Sequence, residues 1–179
     1  MFEELRSVFE QSFTLFLERE TKNILNGTAE RNLCACWAPL LENAAIEAGI
    51  QGYRADADYN RKQDGKVKTM LAHRYYVVRI VCDLILHSRG EIPGRDNLIA
   101  IEMKRSTRPT SEKEEDRLRL RTLTQSSYDG IWSADGKTLP EHVCGYALGY
   151  FVEFDVNARV FLIEEYAEGA LHSSRTHFF

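Results

Sequence analysis

An α/β fold follows from three features of the sequence. Apolar residues recur at helical spacing up to Gly49, apolar β-branched or aliphatic runs occupy 73–87 and 97–104, and two further runs follow at 146–154 and 158–166. With 179 residues, 44% of them apolar and 28% charged, the chain is long enough to bury a full core. Nothing divides it, so 1–179 reads as a single domain. The element order reads ααβββαββ, a mixed β-sheet of about five strands flanked by helices.

Each element has its own signal. Residues 3–24 read as a helix whose apolar stripe is Phe9, Phe13, Leu15, Phe16 and Ile24, and the Asn26-Gly27 pair ends it. A second helix follows, with Thr28 in N-cap position, Glu30 in the first turn where the helix dipole favours a carboxylate, and Leu33, Trp37, Leu40, Leu41 and Ala45 inward. Residues 51–60 read as a first strand. Asp64-Gly65 marks a turn, and HRYYVVRIVCDLILH reads as one long strand. Gly90, Pro93 and Gly94 then form a short link to NLIAIEMK, so these two runs pair as an antiparallel hairpin. The stretch 110–125 mixes a strand-like RLRLRTLT with a helix-like SEKEEDRL; a helix is preferred, with Ser111 and Glu114 in capping-box positions. Residues 126–142, with Asp129-Gly130 and Asp135-Gly136, read as an irregular excursion. The last two strands meet around Asp155 to Asn157, and the polar ending, 170–179, reads as a disordered tail.

Bulk properties narrow the function. No basic segment with a long apolar run opens the chain, and no run of 18 uninterrupted apolar residues occurs, so neither a leader nor a membrane span is expected and the chain reads as cytosolic. Cys34, Cys36, Cys82 and Cys144 lack zinc-type spacing and read as free thiols, with Cys34 and Cys36 on different sides of their helix. A net charge of −4 argues against a protein that coats nucleic acid through a basic face, yet it leaves an enzyme open, because a site that recruits metal is itself acidic.

The chemistry-bearing residues are Asp83, Glu102 and Lys104. Side chains along a strand repeat their facing every two residues, so Glu102 and Lys104 share one face while Ile101 and Met103 take the other. Acids inside apolar strands are costly to desolvate and persist when paired, and a divalent cation suits two acids that converge beside a lysine. Asp83 and Glu102 are then oxygen ligands, the Met103 carbonyl adds another, and Lys104 orients or deprotonates a water and offsets negative charge. A purely structural reading stands beside it: Asp83 and Lys104 as a cross-strand ion pair. Acid-x-Lys triplets alone carry little information, since Glu20-Thr21-Lys22, Asp64-Gly65-Lys66 and Asp135-Gly136-Lys137 match too; only Glu102 to Lys104 ends an apolar strand preceded by another strand acid.

An acid in one strand, a hairpin link, Glu-x-Lys in the next, a glutamate on a preceding helix and a helix and strands after it resemble the PD-(D/E)XK nuclease superfamily over residues 28–165, with the helix at 1–26 added outside that region. The resemblance implies a restriction-endonuclease-like core, Asp83 as the motif aspartate, Glu102 as the second acid, Lys104 as the lysine, and Glu30 as a helix glutamate that joins the metal site. Cys82 departs from the pattern, standing where such proteins often have proline. The implied activity is Mg²⁺- or Mn²⁺-dependent hydrolysis of nucleic acid, DNA first, with a homodimer suited to cutting both strands.

Other residues have plainer readings. Glu30 could serve only the helix dipole. Arg105 and Arg108 are candidate phosphate contacts; Arg117, Arg119 and Arg121 read as a solvated face. His73, His87, His142, His172 and His177 show no metal-ligand spacing, and Tyr53, Tyr59, Tyr75 and Tyr76 read as sheet or core residues rather than base-stacking platforms. Two rival functions stay open: a noncatalytic binding module of a defence or mobile-element system, and a metal-dependent enzyme acting on a small phosphorylated molecule.

Overall fold

The structure, a computed structural model, describes residues 2–58, 69–72, 76–79, 82–125 and 145–179. The Asp64-Gly65 turn, the excursion 126–142, Tyr59, Tyr75, His73, His142 and Cys144 lie outside the described residues.

Two helices open the chain. Helix α1, Phe2–Leu25, places Glu3 and Glu4 in its first turn and Lys22 in its last, as the helix dipole favours, and buries Leu5, Val8, Phe9, Phe13, Phe16 and Ile24 along one face. Gly27, at φ +80°, lets the chain reverse into α2, Glu30–Glu47. Ala29, not Thr28, is the residue preceding the helix, and it offers no side-chain cap; Glu30 does stand in the first turn. Pro39 lies inside α2 without ending it, because both it and Ala35, whose carbonyl loses a partner, are on the exposed side.

The main sheet runs β1-β4-β5-β6-β7-β8, with β1 Arg54–Ala57, β4 Leu84–His87, β5 Asn97–Arg105, β6 Leu148–Asp155, β7 Val160–Ala167 and β8 Ala170–Phe178. Neighbours are antiparallel except β5 and β6, which are parallel and joined through helix α3, Thr110–Leu123. The long strand expected over 73–87 is two elements. Tyr76–Arg79 (β3) pairs with Thr69–Ala72 (β2) in a separate two-stranded sheet, whereas Leu84–His87 joins the main sheet. An apolar run carries no mark of where one sheet ends and the next begins. The β4–β5 hairpin and the β6–β7 hairpin form as expected.

Two further expectations are corrected. Residues 170–179 are no loose tail, since β8 pairs along β7 from Ala170 to Phe178. And α3 is preceded by Pro109 with no side-chain cap, so Ser111 and Glu114 form no capping box; Glu114 instead bonds Arg117 at 2.8 Å. Pro109 supplies the fixed φ and turns the chain into the helix without such a cap.

Helices α1 and α2 cover one face of the sheet and α3 the other. Leu84, Leu86, Ile101, Met103, Tyr150, Val152 and Phe154 join the α1–α2 core around stacked Phe9, Phe16 and Trp37, with the Trp37 indole N–H bonded to Ser12 at 3.1 Å. Ile85, Ala100, Phe151 and Tyr166 pack with Leu120 and Leu123 on the α3 side. Among the described residues no helix is long and apolar enough to cross a membrane.

Candidate active site

Strand parity decides what faces α3. Ile85 and Ala100 point that way, so Glu102 and Lys104, two and four after Ala100, share their face, and Asp83 meets them there through its contact with Lys104. Ile101 and Met103 face the opposite core, as the sequence pattern requires. Asp83 itself sits in a bend just before β4 rather than within a strand.

That position fills a gap in the ladder. The β4–β5 pairing ends at Leu84 opposite Ile101, leaving the next inward-turned amide of β5, Met103 N–H, without a strand partner; it donates to Asp83 Oδ2 at 2.8 Å. Because a strand residue turns its N–H and C=O to the same edge, the Met103 carbonyl faces this margin as well. Lys104 Nζ lies 3.8 Å from Asp83 Oδ2 and 3.0 Å from Asp116 Oδ2. Glu102 is 0% exposed; its Oε1 accepts from Arg119 at 2.6 Å, and the same guanidinium nitrogen reaches Asp116 Oδ1 at 3.0 Å. Glu102 Oε2 accepts from no N–H or O–H donor among the described residues, while the Glu102 carboxyl lies within hydrogen-bonding reach of Asp83 when one of the two carries a proton.

Three carboxylates thus meet two cations in a low-dielectric pocket, one negative charge in excess when all are ionised. Burial, then the neighbouring Asp83 charge, pushes the Glu102 carboxyl well above its ordinary range, and Arg119 only partly offsets them. Burial likewise raises Asp83 against the pull of Lys104 and the Met103 amide. Burial opposes the Lys104 ammonium, but Asp83 and Asp116 outweigh it and hold the lysine above its usual value. A group of this kind takes up a proton or a cation. The oxygen-only donor set of Asp83, Glu102 and the Met103 carbonyl, with one carboxylate oxygen lacking an N–H or O–H donor among the described residues, fits a hard divalent ion such as Mg²⁺ or Mn²⁺. Among the described residues, no group of three or more His, Cys, Asp or Glu side chains is disposed to hold a metal, so protein ligation would rest on two acids and a carbonyl.

Glu30 belongs to the adjoining feature. Its Oε1 accepts the Arg105 backbone N–H at 2.9 Å, and Arg108 binds both oxygens at 3.1–3.2 Å. Arg105 lies two residues beyond Met103, so Glu30 meets β5 roughly 7 Å farther along the same edge than Asp83 does. It lines a cavity of about 510 Å³ with Gly27, Arg31, Arg105 and Arg108. The Arg105 guanidinium ties down the α1–α2 turn through the Gly27 and Thr28 carbonyls at 2.6 Å, while Arg31 is paired with Asp58 and Arg108 remains half exposed.

The expected solvated arginine face of α3 holds at Arg121, which is exposed, and fails at Arg117 and Arg119, which are half-buried and engaged. Arg117 bonds Glu164 at 2.8 Å and lies 4.2 Å over the Phe151 ring, Arg121 lies 5.7 Å from the Tyr166 ring, and Arg119 enters the acidic cluster. The sequence reading missed Asp116 and Arg119. The signal was available: Asp116, Leu120 and Leu123 are spaced four and three apart, one helix face, and that face is the buried one. His87 is a buried partner of Asp56 at 3.0 Å, and Tyr53 is a core residue bonded to the Arg95 carbonyl at 2.8 Å. Cys34 is buried at 4.0 Å from Met103 Sδ while Cys36 is exposed, both free.

Set against protein-family models, curated proteins and solved structures, the chain has no significant match.

Proposed function

We propose that the chain is a metal-dependent hydrolase of nucleic-acid phosphodiester bonds, DNA foremost, in the manner of the PD-(D/E)XK nucleases it resembles. The observation that carries this reading is the convergence of Asp83, Glu102 and Lys104 on the α3 face, with a Glu102 oxygen that lacks an N–H or O–H donor among the described residues and an ammonium 3.8 Å from Asp83. Asp83, Glu102 and the Met103 carbonyl would hold Mg²⁺ or Mn²⁺. Once bound, such an ion supplies Lewis-acid activation of water near neutral pH. Lys104, kept protonated by Asp83 and Asp116, offsets charge gathering on the phosphoryl oxygens; its upward shift favours this role over that of a base. The cavity lined by Arg31, Arg105 and Arg108 lies on the α1–α2 side of β5, opposite the face that Lys104 takes, and suits a phosphate farther along a backbone; Arg108, half exposed, is freer to turn toward it than the strapped Arg105. Drawing Glu30 into ion binding would require release of Arg108. One such centre serves one strand, and cutting both calls for a second copy or a second encounter.

A binding module is the second reading, favoured by the Arg119–Glu102 and Lys104–Asp116 pairs, which neutralise most of the charge without any ion. Cleavage of plasmid and oligonucleotide substrates with Mn²⁺ separates the two. Wild type should cut, and Asp83→Asn, Glu102→Gln and Lys104→Ala should each lower the rate by about 100-fold or more. Mn²⁺ at a hundredfold excess over its dissociation constant should also stabilise the fold by about 2.7 kcal/mol. No cleavage together with an unmoved melting temperature selects the binding module.

A further inference from the structure

We propose that Arg119, seated on Asp116, is the positioning residue that turns the Glu102 carboxyl so that one oxygen stays available beside Asp83. The inference rests on the metal-dependent reading and names a residue of α3 that the acid-x-Lys pattern does not contain.

The geometry is asymmetric. A guanidinium acting simply as a counterion to a buried carboxylate commonly engages both oxygens with two nitrogens. Here a single nitrogen of Arg119 serves both acids: Nη1 holds Glu102 Oε1 at 2.6 Å and Asp116 Oδ1 at 3.0 Å. Oε2 of a fully buried Glu102 is left without an N–H or O–H donor among the described residues. A buried carboxylate oxygen without a donor is costly; a proton shared with Asp83 relieves that cost in the absence of an ion, while the helix fixes the arginine on the other oxygen. Asp116 sits one turn before Leu120, whose side chain is fully buried against the sheet, so the aspartate cannot swing out. Its other oxygen lies 3.0 Å from Lys104 Nζ, and α3 thereby holds both charged residues of the Glu-x-Lys triplet from one carboxylate.

Electrostatics and positioning predict opposite signs. Removing a cation from beside a divalent ion should tighten ion binding, whereas releasing the Glu102 rotamer should weaken it. Calorimetric titration of Mn²⁺ into the full chain, compared for wild type, Arg119→Gln and Arg119→Lys, tells them apart. Arg119→Gln should bind Mn²⁺ about tenfold more weakly than wild type, and Arg119→Lys, which keeps the charge but not the planar donor fork, should fall between the two. Equal or tighter binding by Arg119→Gln overturns the proposal while leaving the metal site standing. Should Arg119→Gln fail to give a folded circular-dichroism spectrum, Arg119→Lys decides alone, an affinity equal to wild type overturning the inference. Wild type that binds no Mn²⁺ removes the metal-dependent reading and this inference with it.

Discussion

Asp56 and Glu102 are both carboxylates withdrawn from water on the same sheet, and their surroundings drive them in opposite directions. Burial raises Asp56, but Arg89, at 2.6 and 2.8 Å, and His87, at 3.0 Å, more than reverse it, so its carboxyl lies below the ordinary range. A depressed carboxyl contributes stability above its unfolded pKa that is lost as pH falls through the folded one. Asp56→Asn should therefore cost about 1–2 kcal/mol at pH 7, with the gap to wild type closing between pH 4 and pH 2 in denaturant titrations; a constant gap would remove the charge from the explanation. Glu102 is raised instead, by burial and then by Asp83, so its contribution is present at low pH and lost as pH rises through the folded value. Glu102→Gln should accordingly show no gain over wild type at about pH 3.5, below the unfolded carboxyl range, and gain about 1 kcal/mol by pH 8, as read from melting curves without metal. A gain of equal size at both values would point to packing rather than ionisation.

Among the elements, those with buried apolar surface could be read from sequence and those without could not. Helices α1 and α2 show the period of their buried face, and the strands around Ile101 and Val152 show as continuous apolar runs buried on both sides. Strand β8 shows none, because almost every residue of ALHSSRTHF is exposed; it is held by backbone pairing to β7, an edge contact of His177 with Phe13 and the Arg175–Glu10 pair. The parallel β5–β6 pairing was illegible for a different reason, since it joins segments far apart in sequence and no turn announces it. In the site, Asp83, Glu102 and Lys104 were legible as acids and a lysine within apolar runs, although Asp83 falls in the bend before β4. Asp116 and Arg119 were passed over although Asp116 shares a helix face with Leu120 and Leu123, because SEKEEDRLRLR taken as a whole looks solvated. The α3–β6 contact is also tight. A Cβ at Gly149 would meet Thr124 Cγ2 at 3.0 Å and Leu120 Cδ2 at 3.2 Å, and Thr124 is fixed by bonds to the Leu120 carbonyl and the Gly169 N–H. Gly149→Ala should lower stability by about 1–2 kcal/mol, despite the entropy it removes from the unfolded chain. A rise in melting temperature would show that α3 can shift to admit the methyl.

At the level of the whole molecule, α1 and β8 lock the sheet from the two ends of the chain. Arg6 reaches Glu165 at 2.8 Å, Phe9 stacks on Tyr150 at 3.7 Å between centroids, and Phe179 lies 4.8 Å from Phe161. Removing residues 170–179 should uncover the β7 edge and expose Phe161, lowering the melting temperature and producing higher oligomers on size-exclusion chromatography; a truncated chain as stable and monodisperse as the parent would show that β8 is dispensable. The charged groups Asp83, Glu102, Lys104, Asp116 and Arg119 all come from β4 through α3, whereas Phe151, the register partner of Glu102, belongs to a strand that begins only at Leu148. As the polypeptide leaves the ribosome, the acids, the lysine and the arginine can therefore meet while still bathed in water. Their repulsion is greatest where the later strands cover them, and every pair that offsets it lies within residues 83–119.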